Sequence, residues 1–168
     1  MYTFTTNNVS SLLTILIQYS DPSIIDQIPS SSLLVSIPNH VWMNISSIST
    51  IVDRFSKMEE LKIGDYDFEC VKEFYLDGKK NLKLIEIGKN SFTSTPNGNG
   101  FDEFRSFQIT NCAELESIEI GDSSFSDCAS IFEIFNCSKL IWINLGRMTF
   151  FNVLKVRIEG MCSDFYSL

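Results

Sequence analysis

The side chains that could do chemistry are thinly spread in this 168-residue sequence. His40 is its one histidine, and the sequence suggests no carboxylate or serine that would make it the base of a nucleophilic triad. A structural place in a turn is expected for it. Glu86 and Glu119 recur at the same point of a repeated segment, so they should stand side by side, and paired carboxylates can serve acid–base work. The same series also holds Lys62 and Asn144, which is the make-up of a solvated strand face. Cys70, Cys112, Cys128, Cys137 and Cys162 are odd in number and lack CxxC spacing, which speaks against a zinc site or a disulfide framework. Buried free thiols are expected instead, with Cys112 and Cys137 in matching turns. Asn97-Gly98-Asn99-Gly100 could wrap a phosphate, but no helix pattern or lysine follows it, so a flexible loop is the reading. There is no P-loop, GxGxxG or HExxH motif. Glycosylation triplets at Asn8, Asn44 and Asn136 are read as chance, with Asn136 packed inward. No catalytic, cofactor-binding or metal residue is assigned, and the chain is expected not to be an enzyme.

The elements that must position these groups are repeats. Leu115–Phe125 reads LESIEIGDSSF, Leu82–Phe92 reads LKLIEIGKNSF, Met58–Phe68 reads MEELKIGDYDF and Leu140–Phe150 reads LIWINLGRMTF. A weaker copy, SLLVSIPNHVW, runs from Ser32 to Trp42. In each copy the fourth, sixth and eleventh residues are apolar. The copies start 26, 24, 33 and 25 residues apart, and the long interval holds an eight-residue stretch of turn chemistry, Thr93–Gly100. Removing that insertion restores a period of about 25 throughout.

A second series interleaves with the first. Phe74-Tyr75-Leu76, Phe107-Gln108-Ile109, Phe132-Glu133-Ile134 and Val156-Arg157-Ile158 alternate apolar and polar, as half-buried strands do. Two short strands per coil imply two parallel sheets facing each other across a flattened solenoid of about five rungs, mainly β in class. Four columns should line its interior. They are Val35, Leu61, Ile85, Ile118, Ile143; Ile37, Ile63, Ile87, Ile120, Leu145; Trp42, Phe68, Phe92, Phe125, Phe150; and Phe74, Phe107, Phe132, Val156. Glycine follows the strand at Gly64, Gly88, Gly121 and Gly146, where positive φ is expected. Pro38 stands there in the first copy, so the first turn should differ in shape.

Residues 1–31 lack the repeat and read as an amino-terminal cap on the 32–168 solenoid. Within the cap, LLTILIQ suits either a strand or a short helix. The tail Met161–Leu168 either folds over the last rung or is followed by more solenoid.

Composition narrows the function classes. Hydrophobic residues make up 44% of the chain, which supports a continuous core, and fourteen of them are phenylalanine, so that core is aromatic. Thirteen basic against twenty-one acidic side chains give a formal charge of −8, which argues against broad attraction to nucleic acid or anionic lipid. No run reaches the ~20 apolar residues of a membrane span. No basic residue precedes the first apolar run, so no secretory signal is read and a cytoplasmic address follows by default.

The repeats resemble leucine-rich repeats, LxxLxLxxNxL, of the phenylalanine-containing, BspA-like kind found in protists and bacteria, over about residues 32–160. The resemblance implies a right-handed coil used as a scaffold for protein–protein recognition. It brings no catalytic residues and no cofactor. Side chains alternate across a strand, so the positions between the inward residues face outward. They give Glu60, Leu84, Ser117 and Trp142 in one column and Lys62, Glu86, Glu119 and Asn144 in the next. Asp65, Lys89, Asp122 and Arg147 lie just past the strand. An outward Trp142 near Leu84, rimmed by both signs of charge, has the make-up of a protein recognition surface. A carboxy-terminal tail that lays Phe165 over Trp142 is the competing arrangement. The alternatives to a recognition scaffold are a purely structural segment of a longer repeat protein and a β-solenoid carbohydrate-active enzyme. The sequence carries no signature of the partner's identity or of oligomeric state.

Overall fold

The structure is a computed structural model that describes residues 14–16, 30–40, 48–96, 100–163 and 166–167. The chain winds into a β-solenoid of about five turns, with successive turns about 25 residues apart. One sheet collects β1 (Thr14–Leu16), β2 (Leu34–Ile37), β3 (Glu60–Ile63), β5 (Leu84–Ile87), β7 (Ser117–Ile120), β9 (Trp142–Leu145) and β11 (Tyr166–Ser167), in that order and all parallel. The other holds β4 (Glu73–Asp77), β6 (Ser106–Thr110), β8 (Ile131–Phe135) and β10 (Lys155–Glu159), also parallel. A single short helix among the described residues, α1 (Ser49–Val52), packs on β4. Of the cap segment, Thr14–Leu16 is a strand and extends the first sheet beyond β2.

The registers follow the repeat. Leu61, Ile85, Ile118 and Ile143 are Cα partners in turn, as are Phe74, Phe107, Phe132 and Val156 on the second sheet. Two stacks of phenylalanine rings face one another between the sheets. In one, Phe68, Phe92, Phe125 and Phe150 stack at centroid distances of 4.9, 4.7 and 4.9 Å. In the other, Phe74, Phe107 and Phe132 stack at 4.8 and 5.3 Å, with edge-on contacts such as Phe132–Phe150 at 4.6 Å joining the two. Trp42, assigned to the first stack, lies outside the described residues.

Every phenylalanine of the first stack has left-handed backbone: φ is 61° at Phe68, 54° at Phe92, 52° at Phe125 and 51° at Phe150. For an L residue that costs about 1–2 kcal/mol. Burying the ring contributes about 1.5–3 kcal/mol, and each stacked pair adds about 0.5–1.5 kcal/mol. Burial and stacking therefore outweigh the strain.

The glycine expectation is corrected. Gly64, Gly88, Gly121 and Gly146 do not have positive φ; that conformation falls two residues later, at Tyr66, Asn90, Ser123 and Met148. Glycine is required because the turns stack closely: a Cβ on Gly88 would lie 2.6 Å from the Gly64 carbonyl oxygen, and one on Gly121 2.7 Å from Gly88. The first turn keeps the same left-handed residue despite Pro38, with φ of 61° at His40.

Two interior columns also end differently from expectation. Leu145 is 39% exposed and Val156 59%: they lie on β9 and β10, and among the described residues the next strand, β11, pairs with β9 only at Trp142 and Ile143. The insertion is shorter in space than in sequence. Thr93 is buried against Ser126 (2.9 Å), and Ser94 donates to Asp127, so the excursion leaves after Ser94 and rejoins at Asp102, which bridges to Cys128. The flexible loop expected at Asn97–Gly100 falls mostly outside the described residues.

Candidate functional site

The outer face of the seven-stranded sheet is built by strand alternation. With Leu61 and Ile63 turned inward, Glu60 and Lys62 must face out, and the same holds for each strand. The ladder makes Glu60, Leu84, Ser117 and Trp142 successive Cα partners, and Lys62, Glu86, Glu119 and Asn144 the next series. Ser117 stands between Leu84 and Trp142, so these two are not adjacent but two strand spacings apart, about 10 Å. Trp142 is half-buried. The tail does reach it: Tyr166 of β11 takes the next register position. Phe165, expected to cover it, lies outside the described residues.

Charge on this face is partly neutralised. Lys62 Nζ lies 3.2 Å from Glu86 and 3.5 Å from Glu60, and those carboxylates raise its pKa against the lowering effect of burial. Glu119, Asn144, Lys89 and Arg147, by contrast, have side chains with no ion pair or hydrogen bond among the described residues. Asp122 is engaged: its carboxylate accepts the Arg147 N–H at 2.9 Å, as Asp65 accepts the Lys89 N–H at 2.7 Å and the Asn39 side chain the Asp65 N–H at 2.8 Å. Asp122 therefore ties two turns together, which the reading of it as a partner-binding residue did not include.

Three arrangements carried no assignment from the sequence. At the tenth repeat position Ser91, Ser124 and Thr149 donate their hydroxyls to the carbonyls of Gly64, Gly88 and Gly121, at 2.8, 2.6 and 3.0 Å. Small hydroxyl residues at one position of three copies were the available signal. After each strand of the second sheet a left-handed residue follows, Gly78, Asn111, Asn136 and Gly160. Thr110 and Asn111 donate to Asp77 at 2.7 and 2.8 Å, holding its carboxyl below the usual range, and Asn136 donates to Asn111 at 2.8 Å. Asn136 is exposed, not packed inward as expected, because its side chain continues this surface ladder. His40 stacks on Tyr66 at 4.7 Å, both at the left-handed ninth position, which fits the structural place given to it.

The third arrangement lies under the insertion. Arg105 is fully buried and donates to the carbonyls of Val71 and Glu69, while its Nε lies 2.9 Å from Asp127 Oδ1. Asp102 pairs with Lys72 and accepts from Phe104 N–H. Burial pushes the Asp102 carboxyl up, but Lys72, that N–H and Arg105 together hold it below the usual range. An open recess beside Ser94, Thr95, Asp102 and Asp127 is flanked by the exposed rings of Phe101 and Phe104.

All five cysteines are free thiols. Cys112 and Cys137 sit in matching turns, both buried, and the adjoining Cys137 together with burial pushes the Cys112 thiol up. Burial also pushes Cys128 up to about 12. Among the described residues no three His, Cys, Asp or Glu side chains gather as metal ligands, and no helix is long and apolar enough to cross a membrane.

Fold and surface together define a β-solenoid repeat protein with short parallel strands. Comparison with models of protein families, with curated proteins and with solved structures finds no match to this chain.

Proposed function

We propose that this chain is a non-catalytic recognition scaffold of the leucine-rich-repeat type, akin to the BspA-like kind, whose outer seven-stranded face binds a protein partner. The observation that supports the reading is the make-up of the outer face: Lys89, Glu119 and Arg147 have no ion-pair partner among the described residues, near the half-buried Trp142, while Lys62 on the same face is paired with Glu86 and Glu60. Unpaired charges of both signs beside a half-exposed tryptophan are what an interface core and rim require. Comparative capture tests the reading. The wild-type chain, Trp142→Ala and Tyr75→Ala (on the opposite sheet) are immobilised and offered native lysate. Bound proteins should be lost from Trp142→Ala alone; equal capture by all three would reject the assigned face.

A further inference from the structure

Two phenylalanines next to the insertion are held in solvent by a pinned turn. Phe101 is 63% exposed and Phe104 72%, whereas Phe68, Phe74, Phe92, Phe107 and Phe125 are sealed in the core. Asp102 fixes the backbone between the two rings. Its carboxylate accepts the Phe104 N–H at 3.1 Å, and its carbonyl accepts the Arg105 N–H at 3.1 Å. Asp102 is also tied to the next turn of the solenoid, donating its N–H to the Asp127 carbonyl at 2.7 Å and accepting from Ala129 N–H at 3.0 Å. Exposed aromatic rings on a backbone fixed in this way point to a binding surface.

Both rings line a recess of about 560 Å³, a volume in the range of small-ligand sites. Its carboxylates are those of Asp102, Glu103 and Asp127, and two of these are already neutralised. Asp102 pairs with Lys72 and lies 3.6 Å from Arg105, and Asp127 pairs with Arg105 at 2.9 Å. Glu103 is exposed and has no ion-pair partner among the described residues. Three anions against two cations leave the recess one negative charge, within a chain of formal charge −8. An anion would meet Glu103, and a neutral apolar ligand would leave that carboxylate without a counter-ion. Aromatic faces attract a cation, above all a weakly hydrated one. We propose that this recess binds a methylated ammonium group, its methyls against Phe101 and Phe104 and its charge answered by Glu103. None of the lining residues belongs to the seven-stranded sheet, so this site is separate from the face assigned to a protein partner.

Calorimetric titration of the whole chain with choline tests this, with the uncharged tert-butyl isostere of choline as the control. Choline should bind, and the isostere should bind about fivefold more weakly or not at all. Phe104→Ala and Glu103→Gln should each weaken choline about threefold or more, and Glu103→Gln should also reduce the salt dependence of binding. Phe104→Trp should bind choline at least as well as the wild type. Both side chains lie in solvent, so the variants should keep the wild-type unfolding midpoint. A peptide carrying trimethyl-lysine separates the two sources of such a cation. Tighter binding than choline assigns it to a protein side chain, and otherwise the ligand is a free small molecule. No binding of choline, equal binding of the isostere, or a choline affinity unmoved by both Phe104→Ala and Glu103→Gln would overturn the assignment.

Discussion

Arg105 Nε lies 2.9 Å from Asp127 Oδ1, with both side chains sealed from solvent beneath the insertion. Neither residue belongs to the repeat pattern, yet each closes a gap in it: Arg105 satisfies the Val71 and Glu69 carbonyls, and Asp127 holds Ser94. Removing one member leaves the other charged and buried, which costs about 3–5 kcal/mol. Asp127→Ala and Arg105→Ala should each lower the unfolding free energy measured by urea denaturation by that amount, and the double variant should lose less than their sum. Additive losses would show that the two groups are not coupled.

Acid should weaken the same region. The Asp102 carboxyl is held below the ordinary carboxylate value, so the unfolded chain takes up its proton first as pH falls. Its contribution to stability is complete above the unfolded value of about 3.9 and is lost as pH drops through the lower folded value. Asp102→Asn should reduce stability at neutral pH and flatten its fall in that acid window. An identical acid slope in both proteins would remove Asp102 from the account.

The repeat was legible because burial imposes it. A two-residue alternation and a period of about 25 are what a stacked parallel strand needs, and the registers of Ile85 with Ile118 and of Phe107 with Phe132 follow from those spacings alone. Arg105 was not legible, because a lone arginine after an insertion has no periodic partner in the chain. The glycines were found for the wrong reason. A glycine forced by a neighbouring turn's backbone reads in sequence the same as one forced by its own φ. At the outer face the sequence placed each side chain on its strand, but the pairing of Lys62 with Glu86 and the use of Asp122 as a tie between turns depend on atomic distances.

The two kinds of glycine can be separated. Gly78 has φ of +60° and open space around a would-be Cβ, so Gly78→Ala should cost about 1–2 kcal/mol from backbone alone. Gly78→Asn should be milder, since Asn111 and Asn136 hold the same position in later turns. Gly88→Ala must instead push two turns apart, an overpacking cost of about 1–3 kcal/mol, and should broaden amide signals of Gly64 and Asp65. Equal spectra for Gly78→Ala and Gly88→Ala would refute the stacking argument.

The thiols should report burial. Without reductant, the unfolded chain should titrate five thiols; in the native chain Cys70 should react first and Cys112, Cys128 and Cys137 only on unfolding. Cys128 ionises near pH about 12 when folded, but at about 8.5 when unfolded. Its share of stability is therefore present below about 8.5 and declines as pH rises above that value. Cys128→Ala should flatten this alkaline decline. Rapid native labelling of Cys128 would contradict the packing of its thiol against the Arg105 carbonyl at 2.9 Å.

Trp142 is the sharpest test of the recognition face. It stands between Ser117 and Tyr166 in the ladder, half-buried, with Glu119 and Asn144, unpaired among the described residues, in the adjoining column. A tryptophan in such a setting carries a large share of binding energy, so Trp142→Ala should weaken partner binding by about 2 kcal/mol or more. Arg147→Ala and Lys89→Ala lie at the rim, where charges chiefly set encounter rate, so their effect should appear in association rate and shrink with added salt. Stability should hardly move in either rim variant, because neither side chain has a partner to lose among the described residues. Calorimetry and stopped-flow binding on the captured partner would separate the two classes. If Trp142→Ala bound as tightly as the wild type while remaining folded, the partner would have to dock elsewhere, and the recess beside Phe101 and Phe104 would be the next surface to test.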